Sequence, residues 1–576
     1  MIEITGERNF SKAETISKGW SGDKKYCVTD ASETKYLLRV SPAERYEHRR
    51  NLNEMMRRVS FLGVPMCQPL DFGICDDGVF SLQSWIDGED LELVLPLLSE
   101  TEQYVLGLRA GEILRTIHSI PAPDTQEEWA SRFNRKTDIK IQKYKECGIR
   151  FDGDDTVIRY IEQNRELLEN RPQCFQHGDY HVRNMMIENE ELKIIDFDRF
   201  DFGDPWEEFN RIVWCAAASL HFATGELRGY FGGEPPLEFF KLLAFYTSSN
   251  MLSSIYWAIP FGQSDIDTMM QQSQDVLSWF DNMRNPVPTW YLKDFYIQWI
   301  DGVPYRLKAS FDFSFMSKYG EVFKAFDKQG SGNISFGVQN GEDKYFIKFA
   351  GAPRENYIAN RDNGAIDTES AIALLKSAVP LYMELEHPTL IRVVSAEEIG
   401  GGYAAVFEWT DAVGIEPKGS PDYMKFMQMP MEKKMRAFEN IMEFHAHVAV
   451  KGYVALDFYD GSILYDYDKE KVIICDIDLY QKSPFKNVGN LGIVGSARYV
   501  SPEECVPDSI MDEVTNVYTM GATEFVLFAY GDRSPEAWPL GGRLYDVAKR
   551  AVSDAREERQ QSVRQFIWEW RAAGSE

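Results

Sequence analysis

The stretch Gln176–Asp198, "QHGDYHVRNMMIENEELKIIDFD", decides the fold. It begins as a short strand and turns through a loop that carries Asp179 and, five residues on, Asn184. Two short apolar strands follow, and the second closes on Asp196. The stretch Ala455–Asp478, "ALDFYDGSILYDYDKEKVIICDID", repeats the order: Asp457 on a loop, Ser462 where the first copy has Asn, and Asp476 at the end of the second strand. A device that occurs twice points to two similar domains rather than to one long fold.

The surroundings of each copy agree. A chain of 576 residues is too long for one ordinary core, so two or more domains are expected. Ahead of the first copy, "KKYCVTD", "TKYLLRV" and "VFSLQSWI" read as strands, and "ERYEHRRNLNEMMRRVSFL" reads as a helix between them. Helical segments dominate from about Ser99 to "DIDTMMQQSQDVLSWFDNM". The prolines of "RNPVPTW" then suggest a linker. Beyond it, "EVFKAFD", "NISFGVQ", "KYFIKFA" and "GGYAAVFEW" are strands, "TESAIALLKSAVPLYMELE" is a helix, and a helical half follows. The fold class expected is α+β, with two tandem bilobal protein-kinase-like domains, each a small β-rich lobe followed by a larger helical lobe. The expected bounds are 1–290, a linker 291–310, and 311–576.

Composition narrows the partners. The formal net charge of −28 repels nucleic acid and anionic membrane surfaces, so neither is an expected partner. No apolar run approaches the ~20 residues of a membrane helix. The beginning "MIEITGERNF" lacks the basic and apolar regions of a signal peptide. Eight scattered cysteines without a CxxC pair fit a reduced, cytoplasmic location and speak against structural zinc.

The chemistry follows from the loop. Phosphoryl transfer from ATP asks a protein for positioning and charge stabilisation: Mg²⁺ held against phosphates, and a carboxylate beside the incoming hydroxyl. In the first copy, Asp179 is the catalytic carboxylate, and Asn184 with Asp196 are hard oxygen ligands suited to Mg²⁺.

"HGDYHVRNMM" with "IDFDRFDFGDPWEEF" resembles the aminoglycoside phosphotransferase and choline kinase-like family over about residues 1–290. The resemblance implies a bilobal kinase fold and ATP in the cleft, with GTP as the alternative nucleotide. It also implies a small-molecule hydroxyl as acceptor, His177 as a loop brace and Asp204 as structural. "SKGWSGDKKYCVT" stands where a phosphate-covering loop belongs, with Gly19, Ser21 and Gly22 against the nucleotide. Arg39 takes the strand position that kinases often give to Lys. Its helix partner is Glu47 or Glu54, with Glu54 preferred, and Gln83–Ile86, including Trp85, is the adenine-reading hinge. The acidic run "DFDRFDFGDPWEE" is a candidate pocket for a cationic acceptor.

Residues from about 311 onward resemble a eukaryotic-like serine/threonine protein kinase domain. "GSGNISFG" supplies Gly330 and Gly332 over phosphates, Lys348 is the strand lysine, Asp457 the catalytic Asp, and Ser462 and Asp476 the metal positions. "SPEE" places Glu503, whose expected partner is Arg559. Several departures weaken the chemistry: Leu456 for the Arg of HRD, Ser462 for Asn, and Asp478 for the Gly of DFG. No Glu stands at the usual helix distance; Glu369 and Glu384 flank it, and Asp460 and Asp466 lie near Ser462. This domain is expected either to phosphorylate protein or, as the alternative, to regulate the first by nucleotide binding or docking without chemistry.

Overall fold

The computed structural model describes residues 10–17, 23–307, 309–327, 332–353, 367–416, 418, 420–487 and 496–574. The chain divides into two compact units, Met1–Phe295 and Tyr296–Glu576.

In the N-terminal unit, β1 (Phe10–Thr15), β2 (Lys24–Asp30), β3 (Lys35–Ser41), β4 (Pro69–Cys75) and β5 (Gly78–Ser84) form one antiparallel sheet in the order β1-β2-β3-β5-β4. Helix α1 (Tyr46–Phe61) connects β3 towards β4 and buries Leu52, Met55, Met56 and Val59, an apolar stripe at helical spacing. The helical lobe begins with α2 (Glu100–Ile117), started by a capping box in which Ser99 and Glu102 each accept from the other's backbone N–H. Next come α3 (Trp129–Glu146), β6 (Cys174–Gln176), β7 (Met185–Glu188), β8 (Glu191–Ile194) and β9 (Asp201–Gly203). Helices α4 (Leu220–Phe231) and α5 (Leu237–Ala258) follow; α5 is apolar nearly all round, as a central helix must be.

Two glycine pairs set the spacing of α2 and α4. A Cβ on Gly107 or Gly111 would overlap the carbonyl oxygens of Phe222 and Glu226, and one on Gly225 or Gly229 those of Tyr104 and Leu108. The two backbones therefore touch directly. The loop after β6 hangs from this pair: the Tyr180 hydroxyl donates to the Ala110 carbonyl of α2 at 2.7 Å. Tyr180, Val182, Met185, Ile194 and Phe197 are all buried in the lobe's core and pin the loop, together with buried His177 and His181, while Asp179, Arg183 and Asn184 keep some exposure.

In the C-terminal unit, β10 (Glu321–Phe326), β11 (Ile334–Asn340), β12 (Asp343–Ala350), β13 (Val393–Ile399) and β14 (Gly402–Glu408) form a sheet in the order β10-β11-β12-β14-β13, with α6 (Thr368–Glu384) after the third strand. That is the strand order of the N-terminal sheet. The helical lobe contains α7 (Met431–Val450), the hairpin of β15 (Ile463–Asp466) with β16 (Lys471–Ile474), α8 (Glu513–Ala529) and α9 (Val563–Gly574).

The expected linker 291–310 is not one. Tyr291 and Phe295 are buried in the first unit, and the Arg228 guanidinium accepts no freedom from this segment: it donates to the carbonyls of Leu292, Lys293 and Phe295. Ile297–Ile300 and Val303–Arg306 pair as a hairpin of the second unit. The prolines mark tight turns here, and buried aromatics hold the segment down. No helix among the described residues is long and apolar enough to cross a membrane.

Candidate active site

The loop between β6 and β7 is built around His177. Its imidazole Nδ1 accepts from the Asp179 backbone N–H at 3.2 Å, and Nε2 donates to the Ile195 carbonyl at 3.0 Å. Burial lowers the pKa of this ring, against the nearby Glu208, so it is a neutral brace rather than a base. Gly178 has φ +84° and no room for a Cβ beside Arg199's carbonyl. Its N–H donates to the Glu208 carboxylate at 2.9 Å.

Asp179 projects from this frame. Asn184 Nδ2 donates to the Asp179 carbonyl at 2.8 Å and to its carboxylate at 3.3 Å. Asn184's amide oxygen is thereby left as the atom available to a cation. His181 Nε2 lies 3.5 Å, Arg211 Nε 3.3 Å and Arg199 3.7 Å from Asp179 Oδ1. Burial alone would raise the Asp179 pKa, but His181, Arg211 and Arg199 outweigh it and hold the carboxyl well below the usual range.

Asp196 ends the β8 strand segment in the left-handed region, φ +64°, an uncommon state for a residue with a side chain. Its carboxylate meets Arg39 of β3 at 3.2 Å. Asp179 meets Asn184 on the loop, Asp196 meets Arg39 across 157 residues of sequence, and the Ile195 N–H donates to the Asn184 carbonyl at 3.0 Å, tying the loop to the strand end that carries Asp196. An amide oxygen and one part-exposed carboxylate suit Mg²⁺, which keeps waters and takes phosphate oxygens for the rest of its shell. Among the described residues no group of three or more His, Cys, Asp or Glu could hold a metal by itself.

Arg39 is not anchored as expected. Glu54 is exposed on α1, and Glu47 pairs with Arg50 at 2.7 Å. The residue that α1 turns inward is Arg49, a second cation, so the balancing carboxylates come from elsewhere. Asp23, whose side chain is fully buried, pairs with Arg39 at 3.3 Å, Arg45 at 3.2 Å and Arg49; Asp198 pairs with Arg49, with Arg45 at 3.5 Å and with Arg39 at 3.8 Å. Burial works against ionisation of Asp198, but Arg49, Arg39 and Arg45 prevail and lower its pKa.

Gln83 lies inside β5 between Leu37 and Pro69, its side chain against Met56 at 3.8 Å; Trp85 and Ile86 lie past the strand end. Gln83 therefore packs inside the sheet rather than in a hinge. Gly19, Ser21, Gly22 and Gly330 lie outside the described residues.

The acidic run is also spent internally. Asp201 takes Arg132 at 2.6 Å, Asp204 takes Arg171 at 2.7 and 3.0 Å and the Tyr246 hydroxyl at 2.6 Å, and Glu208 takes the Gly178 N–H. Sequence reasoning passed over Asp23, Arg49, Arg199 and Arg211. Only the third-residue spacing of "DFD" carried a hint, because a second Asp so near a metal position needs a cation of its own.

The C-terminal unit repeats the geometry with different letters. Lys348 of β12 meets Asp476 at 2.9 Å and Asp478 at 2.6 Å. From α6, the Tyr382 hydroxyl donates to Asp478 at 3.0 Å. Burial disfavours the charged lysine, yet Asp476 and Asp478 raise its pKa strongly. Neither Glu369 nor Glu384 pairs with it: Glu369 is exposed, and Glu384 binds Lys482 and Tyr453. Asp478 in place of Gly thus supplies the carboxylate that the helix lacks. Asp457 takes φ +61° where its counterpart in the first loop is ordinary and Gly178 carries the positive φ. Ser462 is buried with its hydroxyl unpartnered, while Asp460 is claimed by Arg498 at 2.7 and 2.9 Å. Gly332 is left-handed, φ +75°, next to Ala371 of α6. Glu503 and Arg559 form the expected buried pair, at 2.8 and 3.0 Å.

A β lobe whose strand cation meets the Asp closing a loop–hairpin, with Asp and Asn five residues apart on that loop, is the arrangement of a phosphotransferase. The family described as "Phosphotransferase enzyme family" (APH) matches residues 12–240, all within the N-terminal unit. Members of this family are kinases that phosphorylate hydroxyl groups of small molecules. The chain has no match among curated proteins. Solved structures similar to it include a thermostable mutant of the aminoglycoside phosphotransferase APH(4)-Ia in ternary complex with AMP-PNP and hygromycin B, at 17% identity, covering 47% of this chain and 94% of that one, TM-score 0.37. A choline/ethanolamine kinase family protein from Mesorhizobium loti is 17% identical, covering 48% and 91%, TM-score 0.37. A GDP complex of an aminoglycoside 2'-phosphotransferase-IIIa mutant is 13% identical, covering 49% and 95%, TM-score 0.39.

Proposed function

We propose that the N-terminal unit transfers the γ-phosphate of ATP to a small-molecule hydroxyl, with Mg²⁺ bound by Asn184 and Asp196. The observation that carries this is the Asp179–Asn184 contact on a loop that is tied, through the Ile195 N–H to the Asn184 carbonyl, to the strand end where Asp196 pairs with Arg39. Asp179 accepts the hydrogen bond of the incoming hydroxyl and orients its oxygen towards the γ-phosphorus. As that O–P bond forms, the bond to the β–γ bridging oxygen breaks, and the hydroxyl proton passes to the Asp179 carboxylate and on to solvent. A carboxylate held so far below its usual pKa is a weak base, which suits a loose transition state in which proton loss comes late. Arg39 pairs the α/β-phosphates bidentately, as a guanidinium can. Mg²⁺, when bound, neutralises charge on the β- and γ-phosphate oxygens. GTP in place of ATP is compatible with the same contacts.

The test is ADP formation over a broad panel of hydroxyl acceptors. Turnover is expected with wild type and lost at least ~100-fold with Asp179→Ala. Turnover indifferent to that substitution refutes the assignment.

For the C-terminal unit we propose a second protein-kinase-like domain that binds nucleotide and regulates. Its repeated strand order and the Glu503–Arg559 pair support the fold. The double hold on Lys348 and the capture of Asp460 by Arg498 favour a regulatory over a catalytic role. The competing reading is a serine/threonine kinase acting on protein through Asp457 and Asp476. In full-length protein silenced by Asp179→Ala, residual transfer to protein that vanishes with Asp476→Ala would establish it instead. All eight cysteines are free, which supports a cytoplasmic location.

A further inference from the structure

In the C-terminal unit, Phe346 of β12 stands two residues before Lys348, so both side chains leave the same face of the sheet. Lys348 reaches Asp476 and Asp478 just past the end of β16, which makes that face the wall of the cleft. Phe407 of β14 lies directly opposite Phe346, and Phe326 of β10 shares the face of Lys348 through Ser335. The rings are in contact: Phe346 lies 5.3 Å from Phe326 and 6.2 Å from Phe407, centre to centre. On β11 the residue opposite Phe346 is Gly337, where a Cβ would strike the rings of Phe323 and Trp409, so those rings lie directly on the strand. Phe407 is buried, whereas Phe326, Phe346 and Trp409 keep part of their surface open. The wall is therefore aromatic, with one ammonium beside it.

The charges beside this wall do not suit a triphosphate. Lys348 is held by two carboxylates, at 2.9 and 2.6 Å, and neither Asp has a second cation within ion-pair distance among the described residues. Asp478 is also fixed in place: it is 7% exposed, and the Tyr382 hydroxyl, which receives the Ile477 N–H at 3.2 Å, donates to it at 3.0 Å. Negative charge is therefore in excess here. In the N-terminal unit, Arg39, Arg45 and Arg49 meet Asp23, Asp196 and Asp198 charge for charge. A divalent ion would restore the balance, but the donors do not fit one. Ser462 is fully enclosed with its hydroxyl unpartnered, where the first unit has the part-exposed Asn184. Asp460 has no exposed side-chain surface, and Arg498 takes both of its oxygens. Of these positions Asp476 alone keeps an open side, 39% exposed, and one carboxylate already paired with a lysine is a poor Mg²⁺ site.

We propose that the C-terminal cleft binds a nucleoside-type ligand, a planar base carrying at most one phosphate, by stacking on the Phe346 wall and without a divalent metal. This rests on the nucleotide-binding reading of the same unit and narrows it. Every base has a flat π-face, and an aromatic wall recognises that face whatever charge the rest of the ligand carries. Lys348 has three N–H donors and spends two on Asp476 and Asp478, so one remains for a ribose hydroxyl or a single phosphate. A triphosphate would bring several negative charges against both carboxylates with that one donor and no metal to offset them. The cleft thus discriminates against Mg-ATP, the substrate proposed for the first unit, and the two units respond to different ligands.

The test measures equilibrium binding to full-length protein of adenosine, guanosine and their mono- and triphosphates, each with Mg²⁺ and with EDTA. The N-terminal unit is a second nucleotide site, so every ligand is measured on wild type, Phe346→Leu and Asp478→Asn, and only binding that moves with these substitutions belongs to the C-terminal cleft. The expected result is a nucleoside or monophosphate bound equally in EDTA and in Mg²⁺, and about tenfold more weakly by Phe346→Leu, which keeps the packing on Phe407 but loses the flat face. Asp478→Asn removes one of the two carboxylates and should strengthen triphosphate binding about tenfold, a gain that misfolding does not produce. A Phe346-dependent site that prefers the Mg-triphosphate to the nucleoside overturns the inference and leaves the nucleotide reading standing, as does a nucleoside site whose triphosphate affinity ignores Asp478→Asn. Binding of every ligand indifferent to both substitutions overturns the inference and that reading together.

Discussion

Asp198→Asn tests how the strand cation is held. Asp198 is 15% exposed and faces Arg49, Arg39 and Arg45, of which Arg49 and Arg39 are 3% and 6% exposed. Removing one partner of a buried ion pair costs ~3–5 kcal/mol because it strands a charge away from water. Asp23 still serves all three arginines, so the low end, about 3 kcal/mol, is expected. For a unit of this size that is roughly 6 °C in Tm. A second effect is functional: Arg39 loses a partner that does not compete with metal, and KM for ATP should rise about tenfold, equivalent to ~1.4 kcal/mol. Glu54→Gln is the control, since an exposed Glu should change stability by no more than ~0.5 kcal/mol and leave KM for ATP alone. Calorimetry of the full chain gives the first quantity and steady-state kinetics the second. The pH dependence adds a check. The Asp198 pKa is lowered in the fold, so its contribution is present above the unfolded value near 4 and is lost as pH falls. The gap between wild type and Asp198→Asn should therefore close in acid. If Glu54→Gln raises KM for ATP as much as Asp198→Asn, the helix glutamate is the anchor after all and the reasoning fails.

Other outcomes follow from the helical lobe. Gly229→Ala places a methyl group onto the Leu108 carbonyl, so α2 and α4 must separate; a loss of about 3 kcal/mol is expected, with activity falling as Tyr180 loses its fixed acceptor on α2. A stability change under ~1 kcal/mol in denaturant titration would contradict the backbone contact. Glu226 of α4 is buried, and burial, reinforced by Glu208 and opposed by a hydrogen bond with Cys215, lifts it to about 8. A raised acid contributes fully below the unfolded value and loses its contribution as pH rises towards 8, by something on the order of 4 kcal/mol. Glu226→Gln should remove that decline between pH 5 and 8; an unchanged pH–stability curve would show that Glu226 ionises freely.

The sequence by itself determined the outline of this protein. The Asp179–Asn184 spacing, the hairpin closing on Asp196 and the second copy ending on Asp476 were legible because they are local: each is set by a few residues whose chemistry and spacing survive without knowing what packs on them. The strands at "KKYCVTD" and "TKYLLRV" showed for the same reason. The outer strands β1, β4 and β13 did not, since they are sheet edges with a single neighbour each and carry mixed, part-exposed residues. Tertiary structure alone decided which charges meet. Arg39 and Asp196 lie 157 residues apart, and Lys348 and Asp478 lie 130 apart. Nothing in "RRNLNEMMRR" says that Arg49 rather than Glu54 turns inward; the sheet beneath α1 selects the face, and Asp23 with Asp198 then complete the balance. In the same way the run "DFDRFDFGDPWEE" is acidic as letters and nearly neutral as a surface, because Arg49, Arg132 and Arg171 arrive from elsewhere in the chain to bind it. Net charge is additive along a sequence, but the field at a site depends on which charges are already paired, and that pairing exists only once the chain has folded.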